Sequence, residues 1–181
     1  MTFGNFDFST TASGAVSAVP ATSITVSLLS NGLSFTLSGM TVNGTNLLLD
    51  ADLFYSVSTT TVSFNGLGLS FNGAITGGGN SSVTETYCTG AAQDLKSSPV
   101  CAPENTVAVT NPPVNLSNSA SFSSTLSLSV EKSINVNTTG GTGIATISTV
   151  TNTFNVPEPA TLGLVGAGLL GLGLLRRRLK A

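Results

Sequence analysis

The stretch ITVSLLSNGLSFTLS, residues 24–38, decides the fold. Ile24, Val26 and Leu28 alternate with Thr25 and Ser27, and Leu33, Phe35 and Leu37 alternate with Ser34, Thr36 and Ser38. A period of two puts the apolar side chains on one face of an extended chain, as a half-buried strand requires. Asn31-Gly32 lies between the runs, and this dipeptide accepts the positive φ angles of a type I′ turn. The stretch predicts a β-hairpin.

Working outward, the same punctuation recurs at Asn43-Gly44, Asn65-Gly66 and Asn72-Gly73, and each pair is expected to be a turn. Between them Phe54, Tyr55, Val57, Val62 and Phe64 form β-rich runs, and Leu67, Leu69 and Phe71 continue the alternation. Ser63-Phe64-Asn65-Gly66 returns as Ser70-Phe71-Asn72-Gly73. One duplicated tetrapeptide is too little for a solenoid, and two neighbouring hairpins account for it. Residues 76–115 open with Gly77-Gly78-Gly79-Asn80 and carry Pro99, Pro103, Pro112 and Pro113, which predicts a long loop or a seam. Residues 121–136 alternate again, with Leu126, Leu128 and Val130 on one side. Gly140-Gly141 then interrupts, and a last strand is expected from Ile144 towards Val156. No stretch of the body has a helical period. About eight to ten short strands with frequent turns predict an all-β body over residues 1–155, an antiparallel sandwich or jelly roll.

Charged residues make up 8% of the chain, about a third of the usual share, while serine and threonine number 51. Residues 1–155 hold seven acids against Lys96 and Lys132. An acidic, lysine-poor body has no electrostatic footprint for nucleic acid. Few charges and many hydroxyls suit an extracellular surface that meets sugars, water or its own copies.

The chain has no histidine, which removes serine and cysteine triads and most zinc or copper sites. No cofactor is expected. Asp50 and Asp52 would share one face of a strand, where two acids could serve glycoside hydrolysis or hold a calcium ion. The competing expectation is a turn in which the aspartates cap the backbone, and on that reading the protein is not an enzyme. Cys88 and Cys101 are the only cysteines. In an oxidising compartment they read as a disulfide, worth about 3 kcal/mol in the chain-entropy model, with free thiols the alternative. Thr149, Thr151 and Thr153, like Thr59 and Thr61, form rows that could order water or contact sugars, though threonine is also an ordinary strand surface residue.

The last segment, residues 156–181, reads VPEPATLGLVGAGLLGLGLLRRRLKA. Pro157-Glu158-Pro159 fixes two φ angles and lacks two amide donors, so it resists both helix and central strand. From Leu162 to Leu175 every residue is Leu, Val, Ala or Gly, and Arg176, Arg177, Arg178 and Lys180 follow. An uncharged run closed by cations predicts a membrane span with its C-terminus in the cytoplasm. Fourteen helical residues cover only about 21 Å against a hydrocarbon thickness of about 30 Å. Gly163, Ala167 and Gly171 recur every four residues, and with Gly166 they leave a face that another helix could approach closely.

These three blocks, in this order and at this spacing, resemble the PEP-CTERM sorting signal of Gram-negative bacterial envelope proteins. The resemblance covers only the tail. It implies recognition by exosortase, an integral-membrane cysteine transpeptidase that acts at or near the Pro-Glu-Pro motif. It further implies an inner-membrane anchor before processing and a surface or extracellular destination after it. A non-enzymatic matrix protein, linked to exopolysaccharide or biofilm, is the first expectation. A carbohydrate-binding sandwich is the second and a carboxylate-dependent glycosidase the third. The family normally carries a signal peptide, whereas residues 1–8 lack a basic region and an apolar run, so a start beyond Met1 is expected.

Overall fold

A computed structural model of the chain describes residues 1–90 and 105–156. The described residues contain eleven strands and one 3-10 turn, Ala21–Ser23. The strands are β1 (Thr2–Ser13), β2 (Ile24–Leu29), β3 (Gly32–Leu37), β4 (Thr41–Thr45), β5 (Leu48–Ser58) and β6 (Phe64–Gly77). They continue with β7 (Asn80–Thr89), β8 (Asn105–Asn111), β9 (Ser117–Thr125), β10 (Ser127–Asn137) and β11 (Thr142–Asn155). Every pairing is antiparallel. Sheet A has the order β1-β5-β10-β7-β8 and sheet B the order β2-β3-β11-β6-β9, with β4 also pairing β11. The described part of the body is all-β, as the sequence predicts. The predicted transmembrane helix lies outside the described residues, among which no helix is long and apolar enough to cross a membrane.

The two sheets bury their apolar registers against each other. Leu49, Leu128, Ile134 and Val136 on sheet A meet Leu33, Phe35, Leu69, Ile147 and Phe154 on sheet B. Full burial of such a side chain contributes about 1.5–3 kcal/mol. Rings knit the core further: Phe154 lies 6.0 Å from Phe3 and 5.9 Å from Phe64.

The predicted hairpin is present as β2 and β3, but its turn is displaced. Leu29 pairs Gly32, so Ser30 and Asn31 form the loop, and Asn31 and Gly32 have no positive φ. Gly32 is needed for a different reason: a Cβ there would stand 1.9 Å from the Asn152 carbonyl oxygen of β11. The other Asn-Gly pairs are not turns either. Asn43-Gly44 lies inside β4, and Asn65-Gly66 and Asn72-Gly73 lie inside the single strand β6. The repeated tetrapeptide is therefore part of one continuous strand. Phe64 and Phe71 are seven residues apart, which an unbroken alternation would put on opposite faces. A register shift between Phe64 and Gly66 against β9 brings both inside.

The described parts of the predicted loop region, residues 76–90 and 105–115, hold more order than its glycines and prolines suggest. β7 and β8 form a hairpin-like pair in sheet A, and Gly77 to Gly79 form the corner where the chain leaves sheet B. Gly78 N–H donates to the Thr142 carbonyl at 3.0 Å, and Gly79 admits the Ile144 carbonyl where a Cβ would meet it at 2.0 Å. Leu126 separates β9 from β10 as the chain changes sheets, and it is exposed rather than inside with Leu128 and Val130.

Candidate functional site

Charge is sorted between the two sheets. All six charged side chains of the described residues lie on sheet A: Asp7, Asp50, Asp52, Glu85, Glu131 and Lys132. Sheet B carries none. Three arrangements follow: an acidic pair outside sheet A, an ionisable cluster between the sheets, and a hydroxyl face outside sheet B.

Asp50 and Asp52 lie on β5, which overturns the expectation of a turn and places both acids on the outer face of sheet A. Asp50 accepts from Ser133 Oγ at 3.3 Å and Asn135 Nδ2 at 3.4 Å, while Asp52 accepts from Ser9 Oγ at 3.1 Å. Partial burial and the neighbouring Asp52 charge raise the Asp50 carboxyl above the usual carboxylate range, and the bonds from Asn135 and Ser133 oppose the shift. Among the described residues, no three carboxylate or cysteine side chains gather to hold a metal ion.

The cluster between the sheets was not singled out by the sequence. Alternation along β10 turns Leu128, Val130, Lys132, Ile134 and Val136 inward, so a lysine occupies an apolar register. Its ladder partner on β7 is Glu85, and both side chains are fully buried and paired through Nζ and Oε2. From sheet B, β11 brings the buried Asn152. Its Oδ1 accepts from the Tyr55 hydroxyl, and its Nδ2 donates to the Gly68 carbonyl at 2.9 Å. Lys132 Nζ sits 5.8 Å from the Tyr55 ring centre and 6.0 Å from that of Phe35. Burial raises the Glu85 carboxyl and lowers the Lys132 amine, each against the attraction of its partner. Both shifts favour the uncharged pair. Burial, and then the Glu85 charge, raise the Tyr55 hydroxyl well above its ordinary value, so it remains a donor.

The outer face of sheet B is a ladder of hydroxyls. Ser27, Ser34, Thr151, Ser70 and Ser117 form one cross-strand row, and Thr25, Thr36, Thr149 and Asn72 form the next. The predicted row Thr149, Thr151 and Thr153 lies at its centre. Gly66 and Gly68 leave a shallow groove of about 320 Å³ beside it, walled by Asn31, Thr153, Asn155, Ser119 and Ser121.

Cys88 is buried near the end of β7, next to Phe54 on the outer side of sheet A. Cys101 lies outside the described residues, as does the bond expected between them. Pro157, Glu158, Pro159, the run from Leu162 through Gly163, Gly166, Ala167 and Gly171 to Leu175, and the cations Arg176, Arg177, Arg178 and Lys180 also lie outside them.

What the structure does fix is the approach to that tail. β11 is an interior strand of sheet B, flanked by β6 on one side and by β3 and β4 on the other, and it ends at Asn155. The family description "PEP-CTERM protein-sorting motif" matches residues 155–178, so it begins on the last residue of that strand. The tail is a PEP-CTERM sorting motif. A PEP-CTERM motif implies an exported protein of the cell envelope, handled by exosortase. None of the curated proteins matches the chain. Among solved structures, the chain is similar to TmCBM61 in complex with beta-1,4-galactotriose, at a TM-score of 0.39 and 7% identity, over 83% of this chain and 89% of that one. It is also similar to the enzymatically active domain of bacteriophage CBA120 tailspike protein 4, at 0.34 and 13%, over 83% of this chain and 19% of that one. Likenesses this shallow carry no functional weight beside the PEP-CTERM match.

Proposed function

We propose that the sandwich is the exported, non-enzymatic cargo of its PEP-CTERM tail, a structural or surface protein of a Gram-negative-type envelope. The apolar run from Leu162 to Leu175 anchors it in the inner membrane, with Arg176, Arg177 and Arg178 held in the cytoplasm. Exosortase then acts near Glu158, and the body passes to the surface or matrix. The observation that carries this reading is the junction: the motif match starts at Asn155, where the last core strand stops. Processing beyond that residue leaves every ladder of the sandwich intact.

The test uses tagged full-length chains, supplied with a signal peptide, in a host that has exosortase. Changing Pro157-Glu158-Pro159 to alanines should leave the full-length chain in the membrane. Removing Arg176, Arg177 and Arg178 should instead let it escape unprocessed. Processing and release of the alanine variant at the parental rate would refute the motif as the recognition element.

The groove on sheet B supports a finer role, contact with exopolysaccharide in the matrix or a biofilm. Its walls offer hydroxyl and carboxamide groups over a glycine floor, and no charge competes for water. Such a surface suits a neutral, hydrated polymer better than an ionic one. Retention of the purified protein on the host's own exopolysaccharide tests this role. Failure to bind would remove it and leave the sorting assignment standing.

A further inference from the structure

Between the two sheets, an amine, a carboxamide and a carboxyl converge in a space closed to solvent. Lys132, Asn152 and Glu85 come from three strands, β10, β11 and β7, and each is fully buried. As an ion pair, Lys132 and Glu85 are poorly placed, because desolvation of two charges offsets much of their attraction. Glu85 Oε1 also lacks a hydrogen bond of normal geometry, an unfavourable state for a core carboxylate. The carboxamide of Asn152 lies within side-chain hydrogen-bonding reach of that carboxyl, and its Nδ2 also donates to the Gly68 carbonyl. A purely structural role leaves this combination unexplained.

We propose that the folded chain joins Lys132 Nζ to Asn152 Cγ as an intramolecular amide, with Glu85 moving the protons and Tyr55 polarising the carbonyl. The amine enters uncharged, since burial favours proton transfer from Lys132 to Glu85. The lone pair of Nζ attacks Cγ, and the carbonyl π electrons move onto Oδ1. The Tyr55 hydroxyl already donates to that oxygen, as an oxyanion-stabilising donor must. Glu85 delivers the proton it holds to Nδ2 and takes one from Nζ in its place. The Cγ–Nδ2 bond then breaks, and ammonia leaves with the bonding electrons. One amine and one carboxamide become one secondary amide and one ammonia, so the step balances without any further reactant. Phe35 and Tyr55 exclude the water that would compete for Cγ.

The bond would tie β10, the middle strand of sheet A, to β11, an interior strand of sheet B. The sheets would then be unable to separate even when their packing fails. The inference rests on the core geometry alone and is independent of the sorting assignment.

Intact-mass analysis and peptide mapping of the full-length chain decide the matter. The expected result is a deficit of one ammonia per chain and a branched peptide carrying both Lys132 and Asn152. Glu85→Gln, similar in size but unable to shuttle the proton, should restore the full mass and let trypsin cut after Lys132 in the denatured chain. Asn152→Asp should still form the link, with loss of water instead of ammonia. Full sequence mass in the parent, with trypsin cleaving freely after Lys132, would overturn the proposal. A water deficit mapping to Lys132 and Glu85 in the parent would overturn it equally. The parent's mass suffices should either variant fail to accumulate.

Discussion

Replacing Gly32 with alanine should destabilise the sandwich far more than its place beside a hairpin loop suggests. The new Cβ would stand 1.9 Å from the Asn152 carbonyl oxygen and 2.9 Å from the Thr153 Cα, where ordinary contact begins at 3.4 Å. Both obstacles are backbone of the interior strand β11, so neither can rotate aside. β3 must move off β11 by more than an ångström, weakening the ladder from Thr149↔Thr36 to Thr153↔Gly32. Overpacking of this kind costs about 2–4 kcal/mol once the lost pairing is included. For a chain of this size that corresponds to a fall in Tm of about 5–15 °C. Urea unfolding followed by circular dichroism measures it. Gly140→Ala is the control: nothing lies within 4 Å and its φ is not positive, so the change should be neutral or stabilising by about 0.4–1 kcal/mol. Gly32→Asn separates the two explanations of this glycine. Asparagine tolerates a left-handed turn, so it would rescue a turn role but not a close approach. If Gly32→Ala costs no more than Gly140→Ala, or if asparagine is tolerated, the close-approach reasoning is wrong.

Asp50→Asn should stabilise the fold at neutral pH by less than about 1 kcal/mol, because it removes a carboxyl whose ionisation is opposed by partial burial and by Asp52. The sign follows from the raised value: the penalty is absent below the unfolded pKa and grows as pH rises through the folded one. The two chains should therefore converge in acid, and a gain that persists there would contradict this origin. Cys88 and Cys101 peptides should be recovered linked from envelope material under non-reducing mass spectrometry. Recovery as alkylated free thiols would show that the compartment expectation fails. Ser119→Arg, at the wall of the sheet B groove, should abolish retention on exopolysaccharide while changing stability by less than about 0.5 kcal/mol. Undiminished retention would place the contact elsewhere.

The face buried by β3, and by β6 through Leu67, Leu69 and Phe71, was legible in the sequence. β2 was expected to be half-buried, yet it leaves Val26 and Leu28 exposed. The neighbours of each strand in the sheet were not legible. Leu33, Phe35 and Leu37 lie inside as their alternation requires, since a period of two specifies a face. Only β2–β3 and β7–β8 are both consecutive and paired; every other ladder joins strands distant in the chain. Local pattern holds no information about those partners. Asn-Gly misled because glycine has two uses. It permits positive φ, and it also permits a carbonyl to pass where a Cβ would stand, which is its role at Gly32 and Gly73. β7 was hidden because its inward register includes Ser81 and Glu85, so its apolar alternation is broken where the core cluster lies. The same break was the available signal. A lysine between Val130 and Ile134, or an asparagine between Val150 and Phe154, is a polar residue in an apolar register and marks a buried partner. Asp50 and Asp52 were placed correctly on one face only under the strand reading, which the turn propensity of aspartate had disfavoured.

The most direct test of the sorting assignment is the C-terminus of the mature protein, read by mass spectrometry of its last peptide from the envelope or medium of an exosortase-bearing host. The expected terminus lies at or near Pro157-Glu158-Pro159, with β11 retained through Asn155. The same preparation from a host lacking exosortase should end at Ala181. A surface or released form ending at Ala181 in both hosts, or one cut within Thr142–Asn155, would contradict the account.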